Sequence, residues 1–119
     1  LVEYVDIYPS LCELAGLPKP FHLQGKSFVP LTENPNQPWK EEVYCRWIRG
    51  ETVVTQTHTY TEWFDDKTGE VSARMLYDLN NDPEETVNIS EEKENKNLVE
   101  ELSKKLNNHS SKRDDLIIP

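Results

Sequence analysis

The sequence has 119 residues, 35% of them hydrophobic and 29% charged, with a formal net charge of −9 at pH 7. That length suits one domain with a modest core. The acidic balance excludes nucleic acid as a partner, because phosphate binding needs a Lys/Arg surface. No apolar run approaches the roughly 20 residues that span a bilayer, and no basic–apolar–small leader opens the chain. An anionic substrate is repelled by this net charge, so any basic pocket must be local. Met75 is the only methionine, and Leu1-Val-Glu-Tyr-Val runs straight into a helix signal. The sequence is therefore expected to be a piece of a longer polypeptide.

The first predicted element is a helix of about two turns, Ile7 to Ala15. Asp6 is placed to cap it, and Pro9 falls in its first turn. Leu11, Leu14 and Ala15 form an apolar face, and Gly16 followed by Pro18 is a stop signal. Such a short helix is unstable alone and must pack on something. Residues 17–40 are loop-rich and punctuated by five prolines and Gly25. A further helical turn is expected near Ser27 to Leu31. Val43 to Ile48 reads as a strand ended by Gly50. Thr52 to Phe64 reads as another, long enough to need a bulge or bend near Thr57 or His58. Asp65-Asp-Lys-Thr-Gly69 is a hairpin signal, and Val71 to Leu79 is the returning strand, stopped by Asn80-Asn-Asp-Pro83. The last helix is expected to start at Ser90, either with Lys93 or with Glu91 and Glu92 in its first turn. It carries Leu98, Val99, Leu102 and Leu106 at helical spacing through Asn107. Ser110 to Asp115 reads as a mobile tail, and Leu116 to Ile118 as a segment that docks back or simply ends the chain.

These elements predict an α+β fold: a small antiparallel sheet of three to four strands packed on a C-terminal helix, preceded by a short helix and a Pro-rich loop. The expected division is residues 1–40, a linking helix and loop, and residues 41–119, a subdomain with the sheet and final helix. Cys12 and Cys45 fit either one disulfide or two buried thiols, with Cys12 among apolar neighbours as a buried thiol. Two cysteines and scattered His22, His58 and His109 do not make a structural zinc site. Asp78, Asp82 and Glu84 lack the alternating pattern of a calcium loop. Asp82-Pro83 reads as strand terminator and turn instead. Asn88-Ile-Ser90 and Asn108-His-Ser110 match the short glycosylation pattern.

Four segments carry a resemblance. Val5-Asp-Ile-Tyr-Pro-Ser-Leu-Cys-Glu-Leu-Ala-Gly-Leu-Pro18 resembles the sulfatase "VD-x-x-PT-L-x-x-L-A-G-x-P" segment. Leu23-Gln-Gly-Lys-Ser-Phe-Val-Pro-Leu31 is similar to "x-x-G-x-S-L-x-P-L-L". Thr52 to Trp63 stands where sulfatases carry an "a-x-R-T-x-x-Y-K-Y" strand. Met75-Leu-Tyr-Asp-Leu-Asn-Asn-Asp-Pro-Glu-Glu-Thr-Val-Asn-Ile89 resembles their closing "eLYDL-x-x-DP-x-E-x-x-N". Together they identify the chain as similar to the C-terminal region of a sulfatase, with the alkaline-phosphatase-like architecture that family implies. Tyr60-Thr-Glu-Trp63, Phe21-His22 and Gly25-Lys-Ser27 are most similar to the iduronate-2-sulfatase-type branch. The sequence departs from the pattern at Val54, where Arg is usual, and at His58 and Thr59, where Tyr and Lys/Arg are usual.

The resemblance implies sulfate-ester hydrolysis by a parent enzyme, with a formylglycine nucleophile made from "C/S-x-P-x-R" and a calcium ion polarising the sulfate. Cys12 is followed by Glu-Leu-Ala and Cys45 by Arg-Trp-Ile. No catalytic or metal residue is therefore assigned here, and both groups are expected in an N-terminal catalytic domain, the implied partner. The substrate implied is a sulfated carbohydrate, and the implied location is extracytoplasmic. The candidate substrate-binding residues are Arg49, His58, Tyr60 and Trp63. Arg49 suits bidentate pairing with carboxylate or sulfate, and Tyr60 or Trp63 suits stacking on a sugar face. The competing readings are surface charge for Arg49, a satisfied strand histidine for His58, and sheet packing for Tyr60 and Trp63. Trp39, Trp47 and Trp63 in a small β-rich domain also suit a stand-alone carbohydrate-binding module, and a purely structural cap is a third reading.

Overall fold

A computed structural model describes residues 1–114. The chain divides into two units, Leu1–Val43 and Tyr44–Pro119.

The first unit opens with a 3-10 turn, Tyr4–Asp6, that runs into helix α1, Ile7–Leu14. Gly16 (φ 65°) closes α1 as its sequence position indicates. There the Leu17 N–H donates to the Cys12 carbonyl over 2.8 Å, a left-handed closure that glycine adopts without steric cost. Asp6 does not cap α1, because its backbone is already helical and its side chain makes no cap bond to that helix. Its wholly buried carboxylate accepts instead from the Glu3 N–H (2.9 Å), the Lys26 N–H (2.8 Å) and the Lys40 ammonium (2.7 and 2.8 Å). A carboxylate removed from water requires such a set of donors. Gly25 is fixed by the same crossing: a Cβ there would lie 1.8 Å from the Val5 carbonyl oxygen. Helix α2, Val29–Glu33, has Pro30 in its first turn. It begins two residues later than expected, since Phe28 and Val29 spend their N–H groups on the Ser10 and Ser27 hydroxyls.

The second unit carries a four-stranded sheet, of which only the first two residues of β1 precede it, in the order β1-β2-β3-β4: β1 Glu42–Trp47, β2 Gly50–Thr55, β3 His58–Phe64 and β4 Val71–Asp78. Gly50 opens β2 and does not merely end β1. The long Thr52 to Phe64 stretch reverses at Gln56-Thr57, where a bend was expected, and supplies two strands in antiparallel register with Val53 opposite Tyr60. The Thr55 hydroxyl closes that reversal, accepting from His58 N–H at 3.0 Å and donating to its carbonyl. The irregularity in β3 lies at Trp63/Phe64 instead. The β3–β4 hairpin is as expected: Asp65 accepts from the N–H groups of Lys67 and Thr68, and Gly69 takes φ 71°.

Helix α3, Lys96–Asp114, follows a 3-10 turn, Lys93–Asn95. Ser90 does not start it. That residue is buried and donates to the Arg74 carbonyl of β4. The helix also continues through most of the segment read as a mobile tail. Ser110 donates to Glu51, and His109 stacks on Tyr44 with ring centroids 3.9 Å apart. The expectations for Asp115 and for Leu116 to Ile118 lie outside the described residues. Leu102 and Leu106 of α3 meet Val53, Tyr60 and Leu76 of the sheet in one core, flanked by Tyr44, Ile89, Leu98 and Val99. Cys12 is a buried free thiol as expected, whereas Cys45 is a free thiol on the exposed end of β1, which corrects the expectation of a disulfide or of two buried thiols.

The outer edge of β4 is sealed by the segment after it. The Asn88 side chain accepts from the Leu76 N–H (2.9 Å) and donates to the Arg74 carbonyl (3.0 Å), while the Ile89 N–H donates to the Leu76 carbonyl. Asn88 thus stands in for a fifth strand and satisfies an edge that would otherwise invite foreign pairing.

Candidate functional site

Side chains alternate between the two faces of a strand. Tyr60, Glu62 and His58 share the face that carries α3, and Trp63 and Thr61 share the other. The sheet therefore sends the four candidate residues to different places.

Tyr60 is 0% exposed. Its ring belongs to the core and offers no face to a sugar, which corrects its reading as a stacking platform. The hydroxyl donates to Glu62 over 2.8 Å. Burial first, then the Glu62 carboxylate, pushes the phenol far above its ordinary range. His58 stands at the start of β3, across the register from Asp78, with Nδ1 2.8 Å from the Thr57 hydroxyl. Six residues of extended strand, about 20 Å, separate it from Phe64.

Arg49 occupies the turn between β1 and β2. Its carbonyl accepts from the Phe64 N–H, and its guanidinium reaches Asp66 of the next hairpin at 2.8 Å. Gly50 then pairs with Trp63. The Trp63 ring covers Gly50 so closely that a Cβ there would stand 3.0 Å from it, and its Nε1 donates to the Met75 sulfur at 3.1 Å. Arg49 and Trp63 are thus brought to one end of the sheet, and His58 is left at the other.

At that end lies an open cleft of about 300 Å³ lined by Arg46, Ile48, Arg49, Phe64 and Ser110, among others. Arg46 stands 3.7 Å from Glu51, and Arg49 pairs with Asp66. The charges are balanced at rest. Both partners of the Arg49–Asp66 pair are more than half exposed. Such a pair is worth about 0–1 kcal/mol, so an incoming anion can displace Asp66 at little cost. Trp47, 71% exposed at the end of β1, is the aromatic ring available beside this turn. Sequence reasoning considered it only within the stand-alone carbohydrate-binding alternative and took Tyr60 or Trp63 as the stacking candidates. The signal was its place as the last strand residue before a turn.

The acids of the closing motif hold loops. Asp78 accepts from Asn80 and Asn81, and Asp82 from the Thr86 hydroxyl and the N–H groups of Thr86 and Val87. These bonds hold both carboxyls below their ordinary range. Among the described residues no group of three or more His, Cys, Asp or Glu could hold a metal ion. The Asp78 and Asp82 carboxylates are spent on these loop bonds, and no Cys or Ser begins a "C/S-x-P-x-R" sequence that could become formylglycine.

Residues 1–112 match the family model described as N-sulphoglucosamine sulphohydrolase, C-terminal. Arylsulfatase K of Xenopus laevis is 31% identical over 119 residues, covering 89% of this chain and 22% of the relative. An arylsulfatase of Clostridium perfringens is 28% identical over 108 residues, covering 87% of this chain and 21% of the relative. The fold matches the solved structure of BT4656 in complex with its substrate D-glucosamine-2-N,6-O-disulfate, with a TM-score of 0.78 at 24% identity, over 92% of this chain and 24% of that one. The chain thus spans about a fifth of the length of the curated relatives it matches.

Proposed function

Because this chain belongs to the sulfatase C-terminal family, matched over residues 1–112, we propose that it serves a sulfuric ester hydrolase acting on sulfated sugars. In this reading the formylglycine nucleophile and the calcium site belong to an N-terminal catalytic domain. The present chain completes the fold and forms one rim of the substrate cleft. The observation that carries the rim role is Arg49: an exposed guanidinium, held at a turn, whose acidic partner is readily exchanged for a sulfate or carboxylate. Trp63 packs behind that turn and positions it, and Trp47 offers the exposed ring. His58 belongs to the proposal only as a second contact, from the far end of the sheet. A uronate sulfate, of the kind the iduronate-2-sulfatase-type resemblance implies, is the narrower substrate proposed, and an extracytoplasmic compartment the location.

The test is made in the polypeptide that carries this chain together with its catalytic domain. Arg49→Ala is expected to raise KM for sulfated oligosaccharide while the melting temperature stays within about a degree or two, since an exposed ion pair contributes so little to stability. An unchanged KM, or a fall in melting temperature with KM intact, removes Arg49 from the cleft. Comparing sulfate release from 2-O-sulfated uronate with release from N- or 6-O-sulfated glucosamine decides the narrower substrate.

A further inference from the structure

The connection between the neighbouring strands β1 and β2 is the two-residue turn Ile48-Arg49. Ile48 takes φ 52° there. Turns of this length use a positive φ at the first central position, and Gly, Asn or Asp supply it with little strain. In a β-branched residue the same backbone crowds Cβ against a carbonyl oxygen. Among the described residues the non-glycines with positive φ are Ile48 and Glu85, and only Ile48 is β-branched. Packing does not explain the choice, because the Ile48 side chain is 70% exposed and lies outside the core. The residues that follow hold the strain in place. The Arg49 carbonyl accepts from the Phe64 N–H at 2.9 Å, and the Trp63 ring covers Gly50. Backbone strain that is maintained with no gain in packing marks a site of use.

The strained turn presents Ile48 in the cleft that Arg46 and Arg49 also line. Both guanidiniums can take an anion. Arg49 is paired with the exposed Asp66. Arg46 stands 3.7 Å from Glu51, beyond hydrogen-bond distance, and Glu51 accepts from Ser110. An apolar side chain between two cations complements an anionic saccharide, whose C–H ring faces lie between charged substituents. We propose that Ile48 is a specificity-determining residue of this rim: it packs on the C–H face of a sugar while Arg46 and Arg49 take two anionic groups other than the sulfate ester that is hydrolysed. The inference rests on the reading of the chain as the rim of a sulfatase cleft. It deepens that reading to an oligosaccharide with at least three anionic groups.

Steady-state kinetics of the polypeptide that includes the catalytic domain test the assignment. The substrates are a disaccharide carrying three sulfate or carboxylate groups and the corresponding monosaccharide sulfate. Ile48→Asn is expected to raise KM for the disaccharide about tenfold, with kcat changed less than about twofold. Its melting temperature should be unchanged or higher, since Asn tolerates the left-handed backbone. Ile48→Gly, which also accepts the positive φ, should behave in the same way. Ile48→Val keeps the branch and most of the apolar surface, and its KM should stay near that of the wild type. Arg46→Gln should raise KM for the disaccharide and erase its advantage over the monosaccharide. An unchanged KM in Ile48→Asn overturns the proposal. So does a raised KM accompanied by a lower melting temperature, which assigns Ile48 to packing. If Arg49→Ala leaves KM unchanged, the rim reading itself fails. If Arg49→Ala raises KM and Ile48→Asn does not, only the role of Ile48 is lost.

Discussion

Asp6 is wholly buried, and its charge survives because donors from three parts of the first unit converge on it. Burial alone would raise its pKa. Hydrogen bonds from Lys40, Glu3 and Lys26 outweigh burial and hold the carboxyl below its ordinary value of 3.8. Lys40 moves the opposite way: burial would lower it, but Asp6 and Glu3 raise it above 10.5. A carboxyl whose folded pKa is depressed contributes stability that is complete above its unfolded pKa and is lost as pH falls through the folded one. A raised lysine contributes stability that is complete below its unfolded pKa and is lost as pH rises through the folded one. Asp6→Asn is thus expected to cost about 3 kcal/mol near neutrality, leaving Lys40 short of its partner. The gap in melting temperature between wild type and variant should narrow as pH falls below the ordinary carboxyl value of 3.8 and again as it rises above the ordinary lysine value of 10.5. A gap that stays constant from pH 3 to neutrality, a window set by the ordinary carboxyl range, would show that Asp6 is not ionised in the fold. The sequence marks Asp6 only as a cap, because Lys26 and Lys40 lie 20 and 34 residues away, beyond any local pattern.

Elements whose signals are local were legible. Gly16 stops α1, Gly69 turns the β3–β4 hairpin, and Leu98, Leu102 and Leu106 line the buried side of α3. The reversal at Gln56-Thr57 was misread as a bend, since it contains no Gly, Pro, Asn or Asp and both flanks are strand-forming. It is closed by the Thr55 hydroxyl, a role that Thr performs without announcing a turn. Ser90 shows the converse, a residue with the chemistry of a cap that is used to tie a loop to β4. At that edge, Asn88→Ala removes the acceptor for the Leu76 N–H and the donor to the Arg74 carbonyl. A loss of about 1–3 kcal/mol is expected, with faster amide exchange at Leu76 than at Tyr60 in the sheet interior. Unchanged exchange at Leu76 would mean that water or the Ile89 backbone is enough to close the edge. Leu102→Ala opens the core beneath α3 and should cost about 2–5 kcal/mol by chemical denaturation.

For the molecule as a whole, neither nucleophile nor metal ligands are found among the described residues. The purified chain is therefore expected to release no sulfate from an aryl sulfate with calcium added, while a polypeptide that also carries the "C/S-x-P-x-R" segment turns it over. Turnover by the chain alone would overturn the division of labour proposed here. The sequence by itself determined the family, the α+β class and the positions of most elements, because composition, periodicity and ordered short motifs are properties of neighbours along the chain. Only the tertiary structure decided that Tyr60 is core and Trp47 exposed, that Arg49 and Trp63 share one sheet end while His58 sits at the other, and that α1 turns Leu11 and Leu14 outward. Each of those depends on register, strand reversal or a buried charge satisfied from distant residues. One residue of register exchanges the two faces of a strand, and no local pattern fixes it.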